Sequence, residues 1–420
     1  MLAQRDYKQT EVGLVPKHWQ IRSLGDLNPF VTSGSRGWAA YYSDQGSLFV
    51  RITNMSRGSI FLDLSNQKFV KLPTEGNEGT RTQLQEHDVL ISITADIGIV
   101  GYVDSCVPAP AYINQHIALV RFDQAKTCGM FVSYFLASEK PQRRFRATTD
   151  TGAKAGMSLS AVQRIQVALP PFPEQRAIAA ALSDVDALLE GLERLIVKKR
   201  DLKQAAMQQL LTSQTRLPGF HGEWNEKAIG EQIDLLTGFP FPSVSYSEVG
   251  IRLLRGSNVK RGETDWSEGL VQCWLRVTPD ITKYELVAGD LVIAMDGSLV
   301  GRSYARLRSS DLPALLLQRV ARIRSQTIDI GFLCQFVGSD HFIKYCDSVK
   351  TVTAIPHISA NDIRNYRIPI PPTLAEQTAI ATVLSDMDAE LTALEARRDK
   401  TRNLKQAMMQ ELLTGRTRLI

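Results

Sequence analysis

Apolar side chains recur at Ile178, Leu182, Val185, Leu189, Leu192 and Ile196, in alternating steps of four and three residues. That spacing lays a narrow stripe along one side of an α-helix, the seam of a coiled coil. It returns at Ile380, Leu384, Met387, Leu391 and Leu394, where Arg397 and Arg398 interrupt it. Both stripes resume beyond a basic patch, at Leu202, Ala206 and Leu210 and at Leu404, Met408 and Leu412. Pro170, Pro171 and Pro173 stop a preceding strand and open the first helix, with Glu174 in its first turn where the helix dipole favours an acid. A helix of roughly 38 residues spans about 57 Å at about 1.5 Å per residue. Such stripes do not stay in water, and the simplest partner for each is the other. A domain-sized stretch separates them, so the expected arrangement is an antiparallel pair within one chain; pairing with another subunit is the alternative.

The two helices are also copies. PPFPEQRAIAAALSDVD (Pro170–Asp186) is answered by PPTLAEQTAIATVLSDMD (Pro371–Asp388), and residues 174–217 align with 376–419 without gaps, with 27 identities in 44 positions. Weaker echoes extend upstream. RITNMSRG (Arg51–Gly58) matches RGSNVKRG (Arg255–Gly262), HDVLISITADIGIVG (His87–Gly101) matches GDLVIAMDGSLVG (Gly289–Gly301), and INQHIALVRF (Ile113–Phe122) matches LLQRVARIR (Leu316–Arg324). Trp19 and Trp224 each sit near the start of a half. The chain therefore divides into a variable region (1–169), a repeated helix (170–217), a second variable region (218–369) and a second repeated helix (370–420).

The variable regions read as mixed α/β. SLFVRIT, DVLISI, IALVRF, IRLLRG, DLVIAM and RVARIR are short β-branched runs punctuated by glycine, which predicts strands. MFVSYFLASEKPQRRF and GFLCQFVGSDHFIKYC each predict a short helix. The expected fold class is α+β: two similar mixed α/β domains separated by two long helices forming an antiparallel intramolecular coiled coil, with internal pseudo-two-fold duplication.

Composition changes this picture little. A length of 420 residues suits two to three domains, and a net charge of +5 permits a nucleic-acid partner without demanding one. The five cysteines form no CxxC pair and MLAQRDYKQTEVG is no apolar leader, so a reducing cytoplasm is expected. Runs such as DVLISITADIGIVGYV are broken by acids and glycines, which predicts no membrane span.

Catalytic hardware is not recognisable. LNPF (Leu27–Phe30) resembles the NPPF-type loop of adenine methyltransferases but lacks the second proline, and reads as an Asn-Pro turn. No GxxxxGK[ST] loop occurs. Cys334, His341 and Cys346 have a spacing that could hold a metal, yet fall among the apolar positions Phe332, Phe336 and Phe342 of a helix. Asp184, Asp186, Asp386 and Asp388 lie in the repeats and read as solvated or subunit-facing.

Base-reading hardware is present. Arginine forks onto guanine and asparagine onto adenine. Arg51, Asn54 and Arg57 in one half, and Arg255, Asn258, Lys260 and Arg261 in the other, carry those groups where a strand gives way to a glycine-containing loop. TSGSRGWAA adds Arg36 and a stacking Trp38, while Lys154 and Lys350 could reach phosphates. A polar turn with solvated charges remains the competing reading. Gln115 and Gln318 recur at matched places but read as structural residues within apolar strands.

The doubled PP…EQ..I…LSD.D…LKQA…LLT pattern, over essentially the whole chain, resembles the specificity subunits of type I restriction-modification systems. The resemblance implies two target-recognition domains, each reading half of a split asymmetric site in double-stranded DNA. It implies helices that set the gap and dock two methyltransferase subunits, with motor-nuclease subunits joining them. It implies no active site in this chain: S-adenosylmethionine, ATP and Mg would belong to the partners, in a prokaryotic cytoplasm. Docking is then expected at residues shared by the repeats: Glu174, Gln175, Asp184, Lys203 and Gln204, and Glu376, Gln377, Asp386, Lys405 and Gln406. The opening segments differ by one residue (PPFPEQ against PPTLAEQ). A coiled-coil scaffold that reads no sequence, or a self-contained DNA methyltransferase, are the alternatives.

Overall fold

A computed structural model describes residues 6–34, 36–72, 79–149 and 156–419. The chain forms two compact units, Met1–Arg194 with Ala396–Ile420, and Leu195–Glu395. The division cuts both repeat helices, Phe172–Leu211 and Leu374–Leu412, so each unit owns the first part of one and the last part of the other.

In the first unit a four-stranded antiparallel sheet runs in the order Phe30–Ser33, Ile117–Arg121, Val89–Ser92, Val100–Tyr102. Beside it Ala111–Ile113 pairs in parallel with Ser47–Val50. The second unit repeats the plan with Asp234–Thr237, Val320–Arg324, Leu291–Ala294 and Tyr304–Arg306, and a parallel pair Ile251–Leu254 with Ala314–Leu316. All six runs expected to be strands contain one. Val89–Ser92, Ile117–Arg121 and Leu291–Ala294 are buried on both faces, which is why they read as continuous apolar runs rather than alternating ones.

Each expected short helix is two. Gly129–Ala137 gives way to Glu139–Thr149 and Ile330–Val337 to Asp340–Val349, because Ser138 and Ser339 take extended backbone and donate their hydroxyls to Phe135 O and Phe336 O. The first helix of each pair roofs the sheet. Trp19 sets its edge on Phe131, and Trp224 sets its edge on Phe332.

Within each unit the helix segments run antiparallel. In the first, Glu193 pairs with Arg402, Asp186 with Lys405 and Glu174 with Arg418, one index rising as the other falls. In the second, Lys199 pairs with Glu390, Lys203 with Asp388 and Arg216 with Glu376. One detail of the seam differs from expectation. Leu202 and Leu404 are 48% and 54% exposed. The four-three spacing continues unbroken through Lys199 and Lys203, and through Arg398, Thr401 and Lys405; the three lysines set their ammonium heads on acids of the other helix, whereas Arg398 pairs with Asp399 of its own. Among the described residues no helix is long and apolar enough to cross a membrane.

Candidate nucleic-acid and subunit interface

The RITNMSRG and RGSNVKRG loops staple the fold. Asn54 is 2% exposed; its Oδ1 accepts from Arg51 N, and its amide donates to Asp63 O and Asn66 O at 2.9 and 3.1 Å. Fully buried Asn258 repeats this with Arg255 N, Asp265 O and Leu270 O. Arg51 and Arg255 donate to the same closing carbonyls, at Asn66 and Leu270. A buried amide saturated by backbone has no donor to offer an adenine, so Asn54 and Asn258 are corrected to loop residues, with Arg51 and Arg255 as their braces. Arg57 is held by Gln142, Asp96 and the Ile97 carbonyl. Trp38 is 2% exposed, stacked on Phe49 and edge-on to Tyr112, so it is a core residue rather than a stacking platform.

Other candidates keep access to solvent. Arg36 is exposed. Arg261 is exposed and donates to Gly338 O at 3.2 Å. Lys260 donates to Ser257 O, and Lys350 to Asp347 at 2.6 Å. Lys154 lies outside the described residues. Cys334, His341 and Cys346 do not gather: His341 Nδ1 is 2.7 Å from Tyr366 Oη, and among the described residues no group of three or more His, Cys, Asp or Glu could hold a metal.

The repeat residues divide sharply by burial. Glu174 and Glu376 are 0% and 1% exposed and take forks from Arg418 and Arg216. Gln175 accepts from Cys128 N and donates to Pro170 O; Gln377 accepts from Asp329 N and donates to Pro371 O. Those two amides tie each globular domain to its helix. Lys203 and Lys405 lie on the seam. These six, read from sequence as docking residues, are corrected to internal struts; the glutamates and lysines recur because they pair reciprocally across the repeats, and the glutamines because each ties its own domain to its helix. Asp184, Gln204, Asp386 and Gln406 are exposed. So are Leu202 and Leu404, which sequence reasoning had assigned to the seam. In the first unit a groove of about 1800 Å³ is lined by Arg57, Lys140, Glu190, Arg402, Gln406 and Gln410, among others.

A turn that sequence reasoning missed occurs in both domains. Ile117 N donates to Asn114 O at 3.2 Å and Val320 N to Leu317 O at 3.3 Å, which places Gln115–His116 and Gln318–Arg319 at the two corners. Gly34 and Gly238 abut these turns: a Cβ there would sit 2.2 Å from Asn114 O and 2.1 Å from Leu317 O. The matched INQH and LLQR were the available signal, but a two-residue turn leaves no gap in an apolar run.

The type I restriction-modification DNA specificity domain matches residues 16–198 and 277–402. The chain belongs to that family. Among its relatives is the specificity subunit of the type I restriction enzyme MjaVIII of Methanocaldococcus jannaschii, 23% identical, with 99% of this chain and 97% of that one covered. The EcoAI specificity subunit of Escherichia coli is 32% identical over 39% of this chain and 28% of its own length. The crystal structure of a type I S subunit from M. genitalium superposes with a TM-score of 0.62 at 15% identity, covering 94% of this chain and 96% of that one, which supports the shared fold. As a type I specificity subunit, the chain carries two recognition domains in one polypeptide, and the shared repeats and divergent domains take on distinct meanings.

Proposed function

We propose that this specificity subunit is the non-catalytic, sequence-reading component of a type I complex. Each domain reads one half of a bipartite asymmetric site, the paired helices fix the gap, and the exposed residues shared by the repeats dock two methyltransferase subunits. Motor-nuclease subunits complete the assembly, and S-adenosylmethionine, ATP and Mg serve those partners. The observation carrying this reading is the family match across both halves, joined to a duplication whose shared surface residues recur while its domains differ. Asp184, Gln204 and Leu202 on one repeat and Asp386, Gln406 and Leu404 on the other give a single kind of partner two equivalent places to bind. The groove bearing Gln406 and Gln410 offers such a partner a concave seat in the first unit.

The test is co-expression with the methyltransferase subunit in a host free of adenine methylation, followed by genome-wide mapping of methyl-adenine. The expected result is a split motif with a fixed gap that appears only with this chain. A stable complex that adds no methylation would refute the reading role.

A further inference from the structure

Pairs that maintain the fold are the same in both domains. Arg121 forks onto Asp88, whose side chain is fully buried, and Arg324 forks onto equally buried Asp290 at the matching place. Burial pushes the Asp88 carboxyl up, and the Arg121 hydrogen bond opposes that shift. The loop staples Arg51–Asn54 and Arg255–Asn258 are likewise the same. Where the duplicated chain needs one geometry twice, it uses one set of residues twice.

The corner turns break that rule. Their main-chain anchors are alike, Ile93 N donating to His116 O at 2.9 Å and Met295 N to Arg319 O at 2.8 Å, although of the two second-corner residues only Arg319 lies at positive φ. Ile93 O and Met295 O in turn accept from Met157 N and Ile358 N. Their first corner residue is alike too, Gln115 and Gln318. The second corner residue and its support are exchanged. In the first domain His116 Nδ1 meets Thr94 Oγ1, and Gln115 Nε2 lies 2.9 Å from His116 Nε2. In the second domain Arg319 Nη1 donates to Asp296 at 2.9 Å.

Arg319 is far more exposed than the arginines that maintain the fold. Its side chain is 62% exposed, and it sits at φ +67°, a region that a residue with a Cβ adopts at a cost and that collects at functional positions. Asp296 steadies one edge of the guanidinium, and among the described residues no other acceptor takes its remaining N–H donors. Gln318 beside it is exposed.

We propose that these turns are specificity determinants of the two half-sites: Arg319, positioned by Asp296, reads a guanine edge in one half, and the Gln115–His116 corner reads a different base pair in the other. The inference rests on the DNA-reading role proposed above. A guanidinium offers paired donors that match guanine O6 and N7, a glutamine amide matches adenine N6 and N7, and a histidine tied to a threonine matches neither in the same way. One anchored turn with exchanged side chains is what a duplicated reader of an asymmetric sequence requires.

The test compares the full-length wild-type chain with Arg319→Ala and Arg319→Gly, co-expressed with the methyltransferase subunits, by motif mapping. Glycine accepts the positive φ and keeps the assay interpretable if alanine perturbs folding. Both variants are expected to relax one base in one half-site, raising methylation of sites mismatched there at least about tenfold, with the other half and the gap unchanged. Asp296→Asn is expected to relax the same base, and His116→Ala a base in the opposite half. A wild-type split motif that both Arg319 variants reproduce without relaxation overturns this assignment alone. Folded variants that lose recognition of both halves together also overturn it. A wild-type chain that directs no split motif overturns it together with the DNA-reading role.

Discussion

Removing the Arg216 guanidinium isolates the arginine–glutamate lock of the second unit. Glu376 is 1% exposed and accepts from Arg216 Nε at 2.9 Å and Nη2 at 2.6 Å, with Trp224 Nε1 at 3.3 Å as its third donor. Arg216→Ala leaves a buried carboxylate with an indole N–H alone. Breaking a buried pair from one side costs about 3–5 kcal/mol. Because the Arg216 side chain is 22% exposed and its vacated space admits water, the lower end applies, about 3 kcal/mol. For a unit of roughly 200 residues, where 1 kcal/mol moves the midpoint by about 2–4 °C, that is a fall of about 6–12 °C. Scanning calorimetry of the full chain reads it directly. Adding Glu376→Gln should recover much of the loss, giving a coupling of about 2 kcal/mol in the double-mutant cycle. Lys199→Ala supplies the contrast: that pair with Glu390 is 30% and 47% exposed, and its loss should cost about 0.5 kcal/mol. The reasoning fails if Arg216→Ala melts within about 1 °C of wild type, or if the two single losses add without coupling.

Other expectations follow from the same geometry. Burial pushes the Cys334 thiol up to about 11 and Cys346 up to about 12 and raises Cys128, whereas Cys106 is exposed. A raised thiol pKa means less thiolate, roughly one part in a thousand for Cys334 at pH 8, so a thiol reagent should label Cys106 first; early labelling of Cys334 or Cys346 in the native protein would contradict the packing. Gly238→Ala would set a Cβ against the Leu317 carbonyl, atoms that cannot swing aside, and should destabilise by roughly 2–3 kcal/mol in a urea titration; an unchanged midpoint would mean the turn is looser than described. Leu202→Glu combined with Leu404→Glu should leave melting within a few °C of wild type and abolish co-purification with the methyltransferase subunit. Retained assembly would move the docking surface elsewhere.

The duplication, the helix pair and the six strands were all legible in the sequence, because each rests on periodicity or identity that burial imposes directly. The Arg-Asn loops were legible as chemistry but not as role. The same guanidinium and amide suit a base edge or a loop carbonyl, and the deciding partners, Asn66 and Leu270, lie far enough along the chain that spacing cannot reveal them. Trp38 in a glycine-rich stretch looked exposed because the rings of Phe49 and Tyr112 that enclose it come from distant strands. Lys203 and Lys405 hid the seam, since a lysine stem packs like an apolar residue while its letter reads as polar. Arg216 and Arg418 were identical in the two copies from the start; their importance emerged only when each faced the buried glutamate of the other repeat.

That reciprocity makes each unit a composite, its globular domain drawn from one half of the sequence and the arginine that neutralises its buried glutamate from the other. A chain ending after residue 217 would hold Glu174 without Arg418, yet it would carry Arg216, the residue at the same place in the repeat. Two such half-chains laid head to tail could satisfy each other's carboxylates with no new residue. The protein is, in this sense, a homodimer fused into one strand of sequence: the fusion preserves the lock, which must stay symmetric, and releases the two domains from any need to remain alike.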